Sequence, residues 1–152
     1  MNRMELTVRR ATSQDVPAII ALLADDPIGA ARETPDDREP YDVSFKAVDD
    51  DPNQLVVVGE RDGRVIATMQ LTFIPGLSRR GTWRAQIEGV RVATAERGGG
   101  VGEKLMRWAI EQARSRGCAL VQLTSDARRA EAHRFYERLG FVASHTGYKL
   151  SL

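Results

Sequence analysis

The 152-residue sequence contains one cysteine, Cys118, and no apolar run that approaches the length of a membrane-spanning helix. A single cysteine excludes an intramolecular disulfide, and without a CxxC pair or a Cys/His cluster the usual zinc sites are excluded as well. The N-terminal residues lack the apolar core of a signal peptide. We therefore expect a cytoplasmic protein that binds no metal and no membrane, with Cys118 packed at the start of a strand.

A large excess of charge of one sign is also absent, since 22 basic and 21 acidic residues leave a net charge of +1. No long Lys/Arg tract is present, so nucleic acid is not an expected partner. Residues 25–51 nevertheless hold ten acidic and three basic side chains, and arginines crowd the middle of the chain at Arg79, Arg80, Arg84, Arg91 and Arg97. Two interpretations stay open: an ordinary solvated surface, or an acidic mouth that attracts a cation beside a basic floor that holds an anion.

Length and an apolar fraction of 42% fit one globular domain over residues 1–152. Thr12 and Asp15 have the spacing of a capping box before a helix, and Asp62-Gly63 suits the turn of a hairpin. The remaining periodicities predict a strand at 5–11, a short helix at 41–50, a third strand of the meander at 83–94, a helix after Gly102, an apolar strand from Cys118, a helix at 128–140 and one or two closing strands in "FVASHTGYKLSL".

Glycine is concentrated at one place, where it fills four of the five positions from Gly98 to Gly102. The run lies between a predicted strand and a predicted helix, whose first N–H groups and dipole favour a bound phosphate. The Walker A pattern fails because Lys104 follows Glu103, and the GxGxxG pattern fails at its last position. The pattern that fits is Arg/Gln-x-x-Gly-x-Gly/Ala, from Arg97 to Gly102.

With "IEGVRV" before the loop and "AHRFYERLGF" after it, the sequence resembles the GCN5-related N-acetyltransferase (GNAT) superfamily from about residue 3 to 152, most specifically over 87–141. The resemblance implies an α/β fold: a single-domain GNAT-type mixed sheet of six to seven strands flanked by about four helices. It also implies acetyl-CoA as the cosubstrate and an N-acetyltransferase that acetylates a primary amine of a small molecule, by direct attack through a tetrahedral intermediate.

The resemblance further implies roles for individual residues. Tyr136 matches the usual general acid, with simple packing on cofactor or core as the alternative. Glu88 is the candidate general base, with a pocket-lining role as the alternative. Arg129 stands where many members have an Asn that contacts the cofactor. The remaining cofactor contacts would come from strand residues beside the pantetheine arm, Val90, Arg91 and Val92, and from the pyrophosphate loop, Arg97, Gly98, Gly99, Gly100, Val101 and Gly102.

The acceptor is a prediction from loop charge alone. Residues 25–51 would attract an ammonium group, and Arg79, Arg80 and Arg84 would hold a carboxylate or phosphate, a combination that suits a small zwitterion such as an amino acid or its analogue. Two alternatives stay open: acetylation of a protein N-terminus or lysine, and a non-catalytic acyl-CoA-binding sensor on the same fold. Homodimers are common among members of the superfamily, and the sequence leaves the oligomeric state open.

Overall fold

A computed structural model of the protein describes residues 5–152. Contacts between residues group the chain into two units, of which the first ends at Gln122 and the second runs from Leu123 to Leu152. Each unit is described by itself below. The assignment of residues 1–152 to a single domain stays a prediction.

The first unit alternates short strands and helices in an α/β arrangement. Its elements are β1 (Thr7–Arg10), a 3-10 turn (Ser13–Asp15), α1 (Val16–Leu23), α2 (Pro27–Arg32), α3 (Glu39–Asp50), β2 (Gln54–Arg61), β3 (Arg64–Pro75), α4 (Ser78–Gly81), β4 (Trp83–Val92), a second 3-10 turn (Thr94–Glu96), α5 (Val101–Ser115) and β5 (Cys118–Leu123), whose last residue belongs to the second unit. The second unit contains α6 (Ala130–Arg138).

The five strands form one sheet in the order β1-β2-β3-β4-β5. The first four are antiparallel neighbours, and β4 reaches β5 through α5, the kind of helical crossover that joins parallel neighbours. Consecutive residues Val57 and Val58 are both fully buried, so the middle of the sheet is covered on both faces. Leu105 and Met106 of α5 are likewise fully buried and contribute to the core.

Several local sequence signals are confirmed. The N–H of Thr12 donates to Asp15 Oδ2 at 2.7 Å, as the capping box predicts. Asp62 and Gly63 both adopt left-handed backbone conformations, with φ of 52° and 72°, in the tight turn between β2 and β3. In the part of the chain that the structure describes, no helix combines the length and apolarity needed to cross a membrane.

The predicted counts of six to seven strands and about four helices are wrong, because residues 5–152 form five strands and six helices. The predicted closing strands are wrong: residues 141–152 have no regular structure, and all of them except Phe141 are exposed, so the segment lacks the buried face that stabilises a strand. The extra helices are α2, which is too short to show a period, and α4, a single turn in which Arg79 and Arg80 have left-handed φ values of 53° and 65°.

Candidate functional site

The Gly-rich loop from Arg97 to Gly102 joins β4 to α5, as the sequence predicts. Gly98 and Gly100 have φ of 81° and 80°, in the left-handed region that favours glycine. A Cβ atom built on either residue would meet no atom within 4 Å, so the space above the loop is open. Glycine therefore permits this backbone conformation, and its lack of a side chain leaves room for a ligand to approach the backbone closely.

Helix α5 begins at Val101, and its first N–H groups have no partner within the helix. The Val101 side chain is 1% exposed, which anchors the first turn in the core while the glycines before it lie at the surface. The dipole of this 15-residue helix places partial positive charge at the same end, and Arg97 adds a full positive charge. The loop thus has the electrostatics of an anion site, suited to a diphosphate.

Strand β4 carries a β-bulge just before this loop. Gln70 of β3 pairs with Glu88 and Thr68 pairs with Arg91, so two residues of β4 stand opposite Met69. Gly89 takes the left-handed conformation that the bulge requires, with φ of 61°. Glu88, immediately before the bulge, is exposed. The bulge escaped the sequence prediction, although a glycine inside an otherwise regular strand was its signal.

Beyond the bulge, Val92 directs its backbone groups away from β3. The N–H of Ala93 donates to Ile66 O of β3 at 2.8 Å, and neighbouring residues of a strand point to opposite edges. Val92 O accepts a hydrogen bond from Arg97 Nε at 3.2 Å, and Val90 O accepts one from Arg91 Nη1 at 2.9 Å. Among the strand residues predicted to line the cofactor, Val92 therefore has its backbone groups directed away from β3.

Tyr136 lies on α6 in the second unit and is half-buried. Its ring centroid is 5.3 Å from that of Phe135 and 6.0 Å from that of Phe141, the latter in an edge-to-face arrangement. Its carbonyl accepts hydrogen bonds from the N–H groups of Leu139 and Phe141 at the end of the helix. The aromatic contacts and the helix end fix the tyrosine in place within its unit.

Arg129 occupies the N-cap position of α6, and its N–H donates to Asp126 O at 2.9 Å. Its neighbour Arg128 forms a two-pronged pair with the Asp126 carboxylate, at 2.9 and 2.8 Å, which raises the pKa of the Arg128 guanidinium. His133 Nε2 lies 2.9 Å from Asp126 O. Asp126 therefore organises the approach to α6 around both arginines.

The connection between β3 and β4 presents the arginines that the sequence assigns to the acceptor side. Arg79 and Arg80 are exposed on the left-handed turn α4, which is closed by a hydrogen bond from Gly81 N to Leu77 O at 3.1 Å. Two consecutive non-glycine residues in this conformation are strained, a feature that clusters at functional sites. Arg84 folds back over the same connection, with Nη1 3.2 Å from the position that a Cβ atom of Gly76 would take.

The matching family model decides the assignment: it describes the acetyltransferase (GNAT) family and matches residues 16–141. The chain belongs to the GNAT acetyltransferase family. A curated relative, the aminoalkylphosphonate N-acetyltransferase of Salmonella typhimurium, is 30% identical to this GNAT protein over 145 residues, covering 95% of this chain and 90% of the relative.

Two solved structures are also similar to this GNAT protein. A transcriptional regulator from Bacillus halodurans matches with a TM-score of 0.93 and 43% identity, over 97% of this chain and all of that one. A putative acetyltransferase from Agrobacterium tumefaciens matches with a TM-score of 0.82 and 30% identity, over 96% and 99% of the two chains. The resemblance predicted from the sequence motifs is therefore confirmed at the level of the family.

An open groove of about 830 Å³ lies elsewhere on the GNAT protein, between the end of β1, the start of α1 and α3. Its lining includes Thr12, Arg38, Phe45 and Lys46, and none of its residues belongs to β4 or to the loop before α5. The groove is therefore separate from the candidate anion site. Among residues 5–152, no three His, Cys, Asp or Glu side chains cluster closely enough to hold a metal ion.

Proposed function

We propose that this GNAT-family acyltransferase moves an acetyl group from acetyl-CoA to the primary amine of a small molecule that also carries an anionic group. The observation that carries the proposal is the loop from Arg97 to Gly102, which combines open space, two left-handed glycines and the N-terminus of α5. These features suit the pyrophosphate of acetyl-CoA, because the backbone N–H groups themselves supply the hydrogen-bond donors.

The chain's own residues have the chemistry to hold this cosubstrate. Arg97 and the N–H groups at the start of α5 would bind the pyrophosphate, Val92 would pair with the pantetheine arm on the side of β4 away from β3, and Arg129 would contact the cofactor from the start of α6. When bound, acetyl-CoA supplies the activated acetyl thioester. Arg97 Nε donates to Val92 O at 3.2 Å, so the guanidinium lies beside the strand backbone, and its remaining N–H groups could contact a phosphate.

Two side chains account for the proton transfers. Glu88 accepts a proton from the substrate ammonium, directly or through water, so that the amine nitrogen can attack the thioester carbonyl carbon. A main-chain N–H of β4 stabilises the developing negative charge on the carbonyl oxygen. The C–S bond then breaks, the Tyr136 hydroxyl donates its proton to the leaving thiolate, and the second proton lost from the amine nitrogen returns to the Tyr136 oxygen. Glu88 is exposed at the bulge of β4, which makes it accessible to a substrate.

The strained pair Arg79 and Arg80 supports an anionic group on the acceptor. Two adjacent guanidinium groups on one exposed turn suit a phosphonate, phosphate or carboxylate, which they can contact with paired hydrogen bonds. The relative from Salmonella typhimurium is named for aminoalkylphosphonates, compounds that combine an amine with such a group. We propose an aminoalkylphosphonate or an amino-acid-like zwitterion as the substrate class.

The experiment is a panel of amines assayed for thiol release from acetyl-CoA, with aminoalkylphosphonates, amino acids, neutral amines and polyamines. We expect Arg79→Ala and Arg80→Ala each to raise the KM of amines that carry an anionic group at least about tenfold, because a charge-assisted hydrogen bond is lost. The KM of amines without an anionic group should not change. Arg64→Ala, at the exposed first position of β3, is the matched control. Fastest turnover of polyamines, with no turnover of anionic amines, would contradict the proposed substrate class.

A non-catalytic acyl-CoA-binding sensor is the second candidate, because the 43% identical relative from Bacillus halodurans is called a transcriptional regulator. The same panel separates the two functions. A sensor binds acetyl-CoA and releases no thiol with any amine, whereas an enzyme releases thiol in proportion to acetylated product. Acetylation of a protein partner is tested in parallel by the intact mass of candidate proteins.

A further inference from the structure

The 3-10 turn Thr94–Glu96, which leads directly into the Gly-rich loop, is capped by a carboxylate from a distant part of the chain. Its own N-cap residue, Ala93, has no side chain that can accept a hydrogen bond. Asp25 Oδ2 instead accepts from the Thr94 N–H at 3.2 Å and from Thr94 Oγ1 at 2.8 Å, across 69 positions of sequence. Asp25 therefore satisfies a donor that the turn itself leaves open.

The neighbouring carboxylate reinforces the same connection. Asp26 accepts a hydrogen bond from Gly29 N and so caps α2, while its Oδ2 lies 3.8 Å from Arg91 Nε on β4. The Asp26 and Arg91 side chains are only 13% and 17% exposed, so this ion pair is shielded from solvent. Two adjacent residues at the junction between α1 and α2 thus contact this part of the chain, Asp26 at the end of β4 and Asp25 at the 3-10 turn that follows it.

The last residue of the turn is held by an ion pair with β2. Arg61 Nη1 of β2 donates to Glu96 Oε2 at 3.1 Å, and the two side chains are 9% and 17% exposed. With Asp25 at its first residue and Arg61 at its last, the turn has little freedom to move. Arg97 and Gly98 follow without an intervening residue, so the position of the turn determines where the anion-binding loop begins.

On charge alone, the Asp25 carboxylate would weaken the binding of a phosphate by the loop. A carboxylate near an anion-binding loop repels phosphate, although the exposure of Asp25 to solvent weakens that repulsion by screening. The hydrogen bonds from Thr94 lower the pKa of Asp25, so the carboxylate remains charged at neutral pH. The two hydrogen bonds should strengthen cosubstrate binding, whereas repulsion of phosphate should weaken it. The change in acetyl-CoA affinity when Asp25 is replaced therefore shows which effect is larger.

We propose that Asp25 is a positioning residue for the acetyl-CoA site, which acts through Thr94 to hold the Gly-rich loop in its binding conformation. The inference rests on the proposed function, because it requires the loop to bind acetyl-CoA. It adds a role for the α1–α2 junction that none of the loop or strand motifs contains.

The test is acetyl-CoA affinity, measured by isothermal titration calorimetry on the full chain and its variants. Loss of a helix-cap hydrogen bond corresponds to about a fivefold change, so we expect Asp25→Ala to raise the Kd for acetyl-CoA about fivefold and Thr94→Val to raise it severalfold. The double variant should bind acetyl-CoA no more weakly than Asp25→Ala alone, because both changes remove the same contact. In turnover, KM for acetyl-CoA should rise while kcat stays within about twofold.

Asp50→Ala is the matched control, since Asp50 is an exposed aspartate that accepts from Lys46 Nζ at 2.7 Å on α3. We expect it to leave the Kd unchanged. Tighter binding in Asp25→Ala would show that repulsion dominates and would overturn the inference, as would an unchanged Kd or a lowered melting temperature with no change in Kd. A wild-type chain that does not bind acetyl-CoA would overturn the proposed function itself, and the inference with it.

Discussion

Tyr136 packs its ring against those of Phe135 and Phe141, so a phenylalanine can take the same place without loss of packing. If its hydroxyl protonates the leaving thiolate, Tyr136→Phe should lower kcat about a hundredfold. Tyr148→Phe is the control, because Tyr148 is 91% exposed in the same unit. Steady-state kinetics with acetyl-CoA measure kcat for each variant. A kcat of Tyr136→Phe within about twofold of wild type would favour a packing role for Tyr136.

A substitution of Glu88 tests the proposed transfer of a proton from the substrate ammonium to a base. Glu88→Gln should lower kcat/KM about a hundredfold at neutral pH, where the substrate amine is protonated and needs a base. Activity should recover as the pH approaches the pKa of the amine, because a neutral amine attacks without losing a proton first. The pH profiles of the variant and of Glu111→Gln, an exposed glutamate near the end of α5, provide the comparison. A deficit that is constant with pH would indicate a pocket-lining role instead.

The Gly-rich loop can be tested as an element because the chain contains a matched glycine elsewhere. Gly100 and Gly63 have φ of 80° and 72°, and a Cβ atom on either would meet nothing within 4 Å. Gly100→Ala and Gly63→Ala should therefore each destabilise the fold by about 1 kcal/mol. Only Gly100→Ala should also weaken acetyl-CoA binding, by at least about tenfold, since its methyl group would intrude where we propose that a phosphate approaches the backbone.

Urea unfolding and calorimetry give the two quantities. Equal loss of acetyl-CoA affinity in both glycine variants would mean that global destabilisation, not the loop, weakens binding. Unchanged affinity in Gly100→Ala would contradict the assignment of the loop to the cosubstrate.

The junction between β1 and α1 predicts a pH dependence of stability. The buried Asp15 carboxylate accepts from Arg9 Nη1 and Nη2 at 2.8 and 3.0 Å, and this pairing holds the pKa of Asp15 below its ordinary value of 3.8. A lowered folded-state pKa means that the carboxylate stabilises the fold fully above the unfolded-state pKa, and that this stabilisation is lost as the pH falls through the folded-state pKa.

We therefore expect Asp15→Asn to lower the free energy of unfolding by about 1–3 kcal/mol at neutral pH, with a smaller difference from wild type near pH 3. Urea unfolding at both pH values measures this, with Asp50→Asn as the exposed control. A difference between wild type and Asp15→Asn that does not change with pH would contradict the role of the carboxylate charge.

Short-range signals explain which elements were predictable from sequence. The capping box at Thr12, the turn at Asp62-Gly63 and the apolar face of α5 each depend on residues a few positions apart, and each is confirmed. The Asp25–Thr94 contact joins residues 69 positions apart, so no local pattern could indicate it. The left-handed turn α4 is equally hidden, because arginine seldom adopts that conformation and leaves no compositional signal.

For the whole molecule, family membership and substrate depend on different parts of the chain. The GNAT assignment follows from motifs that the match over residues 16–141 confirms. The proposed acceptor specificity depends on exposed connections, such as the one that carries Arg79 and Arg80, and changes in such connections need not disturb the core.

The most direct test of the account is transfer of an isotope-labelled acetyl group from acetyl-CoA to an aminoalkylphosphonate, followed by mass spectrometry of the amine. We predict that the label appears on the amine nitrogen in amounts equal to the free thiol released. Binding of acetyl-CoA with no labelled amine across the whole panel would contradict the account and would favour the sensor.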